Sequence, residues 1–189
     1  MKKLSLSLIV FAAVLVSACT TFTLVEPQRH QISEFYSVAS PIQWNRLKTG
    51  KVEVWTSDGP MLQAVRFFDG IDDGAPMFRV YGQQKKQPLF RAGMSATEVQ
   101  EFVVDSIAAD GAGNVTASNL RPFQFGGLPG FRFDLEFLSA NGLELEGIAA
   151  GVTKDEKLYL ILYTGARSHY FEKHKTHVEQ ILQSIQTQA

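Results

Sequence analysis

Apolar residues change their spacing twice along this chain, and the changes separate strands from helices. "KVEVWT" and "MLQAVRFF" are short segments rich in β-branched and aromatic residues, divided by Ser57-Asp58-Gly59-Pro60, which predicts a hairpin. Asp69-Gly70-Ile71-Asp72-Asp73-Gly74 reads as the loop that ends this unit. From Met94 the spacing lengthens. Ser95 with Glu98 three residues on is a capping-box pattern, and Val99, Phe102, Val103 and Ile107 follow at helical intervals, with Glu98, Glu101 and Asp105 opposite. Asp110-Gly111 stops that helix.

Alternation of period two returns at Phe131, Phe133, Leu135 and Phe137, interleaved with Arg132, Asp134 and Glu136, and predicts a strand with one buried and one wet face. Asn141-Gly142 is a hairpin signal joining it to "LELEGIAAGV". Lys154-Asp155-Glu156-Lys157 turns the chain into "LYLILYTG", where Leu158, Leu160 and Leu162 point one way and Tyr159, Ile161 and Tyr163 the other. Both sides are apolar, so this strand is expected at the centre of a sheet covered on both faces. The covering layers are the helix from Ser95 and a last helix from about Ser168 to Gln186, whose stripe is Phe171, Val178, Ile181, Leu182 and Ile185. The pattern predicts an α+β fold: a mostly antiparallel sheet with helices on both faces, an α/β/α sandwich.

The amino terminus reads differently. Two lysines precede "LSLSLIVFAAVLV", a basic region and an apolar run too short for a helix of about 20 residues across a bilayer, which is signal-peptide anatomy. Val16-Ser17-Ala18 leads directly into Cys19, the sole cysteine. These four positions resemble the bacterial lipobox, which implies cleavage after Ala18, a diacylglycerol thioether on Cys19 and acylation of its new amino group. Several acyl chains, each buried methylene contributing about 0.8 kcal/mol, hold a protein durably on a membrane. The expected organisation is therefore a lipoprotein signal peptide over 1–18, the lipidated cysteine with a tether or first strand over 19–40, and a single domain over 41–189. An aspartate after such a cysteine commonly signals inner-membrane retention. Here the residue is Thr20, which points to the periplasmic face of the outer membrane, with the inner membrane as the alternative.

Composition narrows the function classes. Without residues 1–18 the chain keeps 16 basic and 19 acidic residues, a formal charge of −3, and offers no basic excess for nucleic acid. An exported chain whose only cysteine is modified has no disulfide framework, so stability must come from the core.

Several constellations invite a chemical reading. His169, His174 and His177 crowd "HYFEKHKTH", with Glu172, Lys173 and Lys175 between them. His174 and His177 are helical neighbours, but His169 is five residues from His174, so no single helix face collects three metal ligands. "DGIDDG" lacks the alternating oxygens and closing glutamate of a calcium loop, having Ile71 third and Val80 twelfth. Neither the glycines around Gly111 and Gly113 nor "FGGLPGF" carries a phosphate loop or a nucleophile elbow. Phe123 and Phe125 flank "GGLPG" and either pack in the core or form an exposed binding patch. No catalytic residue, metal ligand or cofactor site is assigned.

"GGLPGFRFDLEF", "KLYLILYTGARSHYFEKHKTHVEQILQSI" and the stretch from "PIQWNRL" to "GPMLQAVRFF" resemble the PsbP-like α/β/α sandwich family, over about Pro41 to Ile185. That family includes the extrinsic photosystem II protein PsbP, a Ran-binding nuclear import factor and many exported bacterial proteins, and its characterised members act by binding. The resemblance implies a binding or scaffold domain and supplies no catalytic residues. The expectation is a non-catalytic lipoprotein that meets the membrane through its anchor and binds an envelope protein, or a small ligand in the groove between sheet and helix. Two alternatives stay open: an envelope hydrolase with a serine brought to one of the three histidines by the fold, and a metal-binding lipoprotein.

Overall fold

The structure, a computed structural model, describes residues 22–78 and 86–188. The signal peptide, Cys19 and Thr20 lie outside the described residues.

Strands β1 (Thr23–Val25), β4 (Trp44–Thr49), β5 (Val52–Thr56), β6 (Gln63–Asp72), β7 (Gly113–Phe125), β8 (Leu128–Leu138), β9 (Glu144–Lys154) and β10 (Lys157–Ala166) form one sheet in the order β1-β4-β5-β6-β10-β9-β8-β7. Every neighbouring pair is antiparallel. Short strands β2 (Arg29–Gln31), β3 (Tyr36–Ala39) and β11 (Gln186–Thr187) make a second, three-stranded sheet. Helix α1 (Ala96–Ala109) covers one face of the large sheet and α2 (Tyr170–Gln183) the other.

β10 sits at the centre, and its alternation divides the core into two. Leu158, Leu160 and Leu162 pack under α1 with Phe102, Val103, Ile107, Phe133 and Leu135. Ile161 and Tyr163 pack under α2 with Val178, Ile181, Leu182, Trp44 and Trp55. Each fully buried side chain of this size contributes roughly 1.5–3 kcal/mol, so two cores stabilise a chain without disulfides. The start of α1 carries the expected capping box: Glu98 N–H donates to Ser95 Oγ at 3.3 Å, and Ser95 N–H to Glu98 Oε2 at 2.7 Å.

Helix α2 comes unusually close to the sheet because position 165 has no side chain. A Cβ on Gly165 would lie 2.7 Å from Phe171 Cα and 2.8 Å from Phe171 N. Tyr163, two residues earlier, donates its hydroxyl to the Phe171 carbonyl at 2.7 Å and fixes the first turn.

Three expectations need correction. Asp69-Gly70-Ile71-Asp72 is not loop but the end of β6, with Ile71 opposite Leu158 and Asp72 opposite Lys157. Pairing with the central strand overrides the turn composition, and Gly70 at φ 72° accommodates the register shift there. The last helix ends at Gln183, capped by Ser184, and the chain then extends into β11, which pairs with β3. The stretch before residue 41, read as tether or first strand, supplies three strands, and Val25, Ile32, Tyr36 and Val38 join the α2-side core.

Candidate functional site

Four strands end together on the α1 face. The starts of β6 and β9 and the ends of β8 and β10 converge there, with Leu162 opposite Arg66 and Phe137 opposite Leu145. The last turn of α1 brings Ile107 and Asp110 over them, and Pro60, Met61 and Leu62 of the β5–β6 loop form the near wall. Together these residues enclose a cavity of about 210 Å³, open on one side. Met61, 66% exposed, is the most accessible large apolar residue of the described chain and stands on this wall.

Arg66 is the one basic side chain in the cavity lining. Strand alternation puts it on the same face as Phe68, so the cation projects under α1 among apolar neighbours. Its Nη1 donates to Thr164 Oγ1 at 3.0 Å, which orients the guanidinium. Among the described residues no carboxylate reaches it within 4.0 Å, and neither 1–21 nor 79–85 contains an aspartate or glutamate. Burial pulls the Arg66 guanidinium below its ordinary value, and Asp110, acting from beyond ion-pair distance, opposes that. Burial likewise raises the Asp110 carboxyl, with Arg66 opposing. The lone arginine inside the apolar run "QAVRFF" was the available sequence signal for this site.

The histidines do not assemble. His174 is buried, its Nε2 2.7 Å from Asp58 Oδ2 and its ring 5.3 Å from that of Trp44. Burial draws the His174 ring below its ordinary value, against the opposing pull of Asp58. His177 stacks obliquely beside it at 5.9 Å, whereas His169 stands at the N-cap of α2 with no capping bond from its side chain. No group of three metal-ligating side chains occurs among the described residues. There, His174 bonds to Asp58 and His30 to the Glu26 carbonyl, and no serine hydroxyl is hydrogen-bonded to an imidazole. Phe125 is fully buried, edge-on to Tyr36 at 5.2 Å, and Phe123 packs partly buried on the same core, so the two do not form an exposed patch.

An eight-stranded antiparallel sheet between two helical layers, with a small second sheet joined to the α2-side core, defines a PsbP-like fold. Among solved structures, the solution structure of cyanobacterial PsbP (CyanoP) from Synechocystis sp. PCC 6803 matches it with a TM-score of 0.57 at 12% identity, over 92% of this chain and 96% of that one. At that identity the likeness is one of fold. The crystal structure of LpqN, involved in cell envelope biogenesis of Mycobacterium tuberculosis, gives a TM-score of 0.39 at 6% identity over 92% of this chain and 88% of that one. No protein-family model and no curated protein matches the sequence.

Proposed function

We propose that the protein is a lipoprotein of the bacterial cell envelope, anchored through acylated Cys19, whose PsbP-like domain acts by binding and not by catalysis. The cavity between the sheet and α1 carries the reading. It is concave and largely apolar, and it holds one basic side chain, Arg66, oriented by Thr164, the arrangement expected of a small-ligand site. None of the four histidines lines it, so the serine–histidine hydrolase alternative has no imidazole at the place where a ligand would sit. The signal anatomy and Cys19 support export and anchoring, and Thr20 supports the outer membrane. No described helix is long and apolar enough to cross a membrane.

Metabolic labelling with an alkyne fatty acid, followed by gradient fractionation of membranes, tests the anchor. Label is expected in the wild type and absent in Cys19→Ala, with the labelled protein in the outer-membrane fractions. Unlabelled wild type overturns anchoring, and inner-membrane migration overturns the Thr20 assignment. The binding role is tested by a fragment screen read from amide resonances: compounds that shift residues around Arg66 support it, and a library that leaves them unmoved overturns it.

A further inference from the structure

Arg66 gives the cavity a chemical preference. Drawing a cation part-way out of water into an apolar wall is costly, and a partner carboxylate offsets that cost. The described residues provide no such partner: the acidic group that acts on Arg66 is Asp110, outside ion-pair distance, beside the partially negative C-terminal end of α1. One guanidinium nitrogen is held by Thr164, so the fork is oriented, and no other described group bonds the remaining N–H groups. A guanidinium so placed matches two oxygens of a carboxylate through parallel hydrogen bonds.

Size and lining define the rest of the ligand. A volume of about 210 Å³ equals the liquid share of about seven waters, room for an alkyl stem of roughly that many carbons. Ile107, Leu145, Leu162 and Phe137 supply the apolar wall for such a stem. A single cation matches at most one negative charge, and the Asp110 carboxylate nearby works against a second, so a monoanionic carboxylate fits better than a phosphate dianion.

We propose that the cavity is a binding site for a medium-chain alkyl carboxylate, its head on Arg66 and its stem between α1 and the sheet. The proposal rests on the cavity being the binding site of the domain, and it adds the ligand class.

The test uses the mature chain, secreted behind a conventional cleavage site with Cys19→Ala. Octanoate, octanol and octylamine are titrated separately and followed by amide chemical shifts. Octanoate is expected to shift residues around Arg66 and to bind about 10- to 100-fold more tightly than octanol, the range set by a charge-assisted hydrogen bond. Arg66→Met is expected to remove that preference while the protein stays folded, since an apolar side chain of similar length replaces a half-buried cation that forms no ion pair among the described residues. Asp110→Asn is expected to tighten octanoate alone. The octanoate–octanol comparison on the unmodified cavity stands even if a variant fails to fold. Equal binding of octanoate and octanol overturns the carboxylate site and leaves the binding-domain reading intact. If no probe shifts the cavity, both fall.

Discussion

Asp58 accepts a hydrogen bond from His174 Nε2 across 2.7 Å, joining the β5–β6 loop to helix α2. Lys173 Nζ occupies the other carboxylate oxygen, also at 2.7 Å. Since His174 Nδ1 is buried without a partner, the arrangement uses the neutral imidazole with its proton on Nε2.

This pair makes stability depend on pH with a definite sign. Burial first, and Lys173 and His177 after it, lower the His174 value, and Asp58 offsets them only in part. The unfolded chain therefore binds the proton more readily, so the contribution is complete above the ordinary histidine value of about 6.5 and is lost as pH falls below it. Burial raises the Asp58 carboxyl, but hydrogen bonds from Lys173 and His174 outweigh it, leaving the group below its ordinary value. Its contribution is lost in turn at more acidic pH. Urea midpoints measured from about pH 7.5 to about pH 5 are expected to fall for the wild type and to fall less for His174→Gln. Parallel slopes would assign the pH dependence elsewhere.

Asp58→Ala leaves a buried imidazole N–H without an acceptor, a cost of about 1–3 kcal/mol. The loop that loses this tie also carries Pro60, Met61 and Leu62 to the cavity wall on the opposite face of the sheet. Faster amide exchange over residues 57–62 in Asp58→Ala, with α1 unchanged, is the expected local signature.

Gly165→Ala places a methyl group against the backbone of Phe171, which has no flexible end to move aside. Helix α2 must shift, at an expected cost of roughly 1–3 kcal/mol in a denaturant titration. Gly93→Ala is the control: its added Cβ meets nothing within 4 Å, and no destabilisation from crowding is expected.

The turn between β9 and β10 can be improved. Asp155 and Glu156 have φ of 49° and 61°, the left-handed pair of a type I′ turn built without glycine. Glu156→Gly is expected to raise stability by about 0.5–1 kcal/mol, less than the full left-handed penalty because glycine also loosens the unfolded chain. An unchanged or lower melting temperature would show that the strain is relieved elsewhere.

Periodicity made the architecture legible. The two-sided apolar pattern of β10, the capped α1 and the stripe of α2 each follow from side-chain spacing, which the sheet and helix geometries impose directly. Where long-range pairing decides, spacing failed. Turn-like Asp69-Gly70 became strand because β10 offered a central partner, and the polar stretch before residue 41 became strands β1 to β3 through pairings with β4 and β11. The cavity was less legible still. Arg66 reads as an ordinary strand polar residue until the register shows Leu162 opposite it and α1 above it. The histidine cluster shows the converse: crowding in sequence did not become convergence in space, because His169 lies before the helix at its N-cap while His174 is buried against Asp58.

The short interval between Cys19 and β1 governs how the anchored domain would stand. Four residues span at most about 14 Å, so acyl chains on Cys19, as proposed, would hold Thr23 and the outer edge of the large sheet close to the lipid headgroups. Phe22 and Leu24, 44% and 53% exposed beside that attachment, would then be placed to dip into the interface. The domain would stand upright on its β1 edge with both helical layers looking sideways along the membrane plane, and β7 would be the strand farthest out.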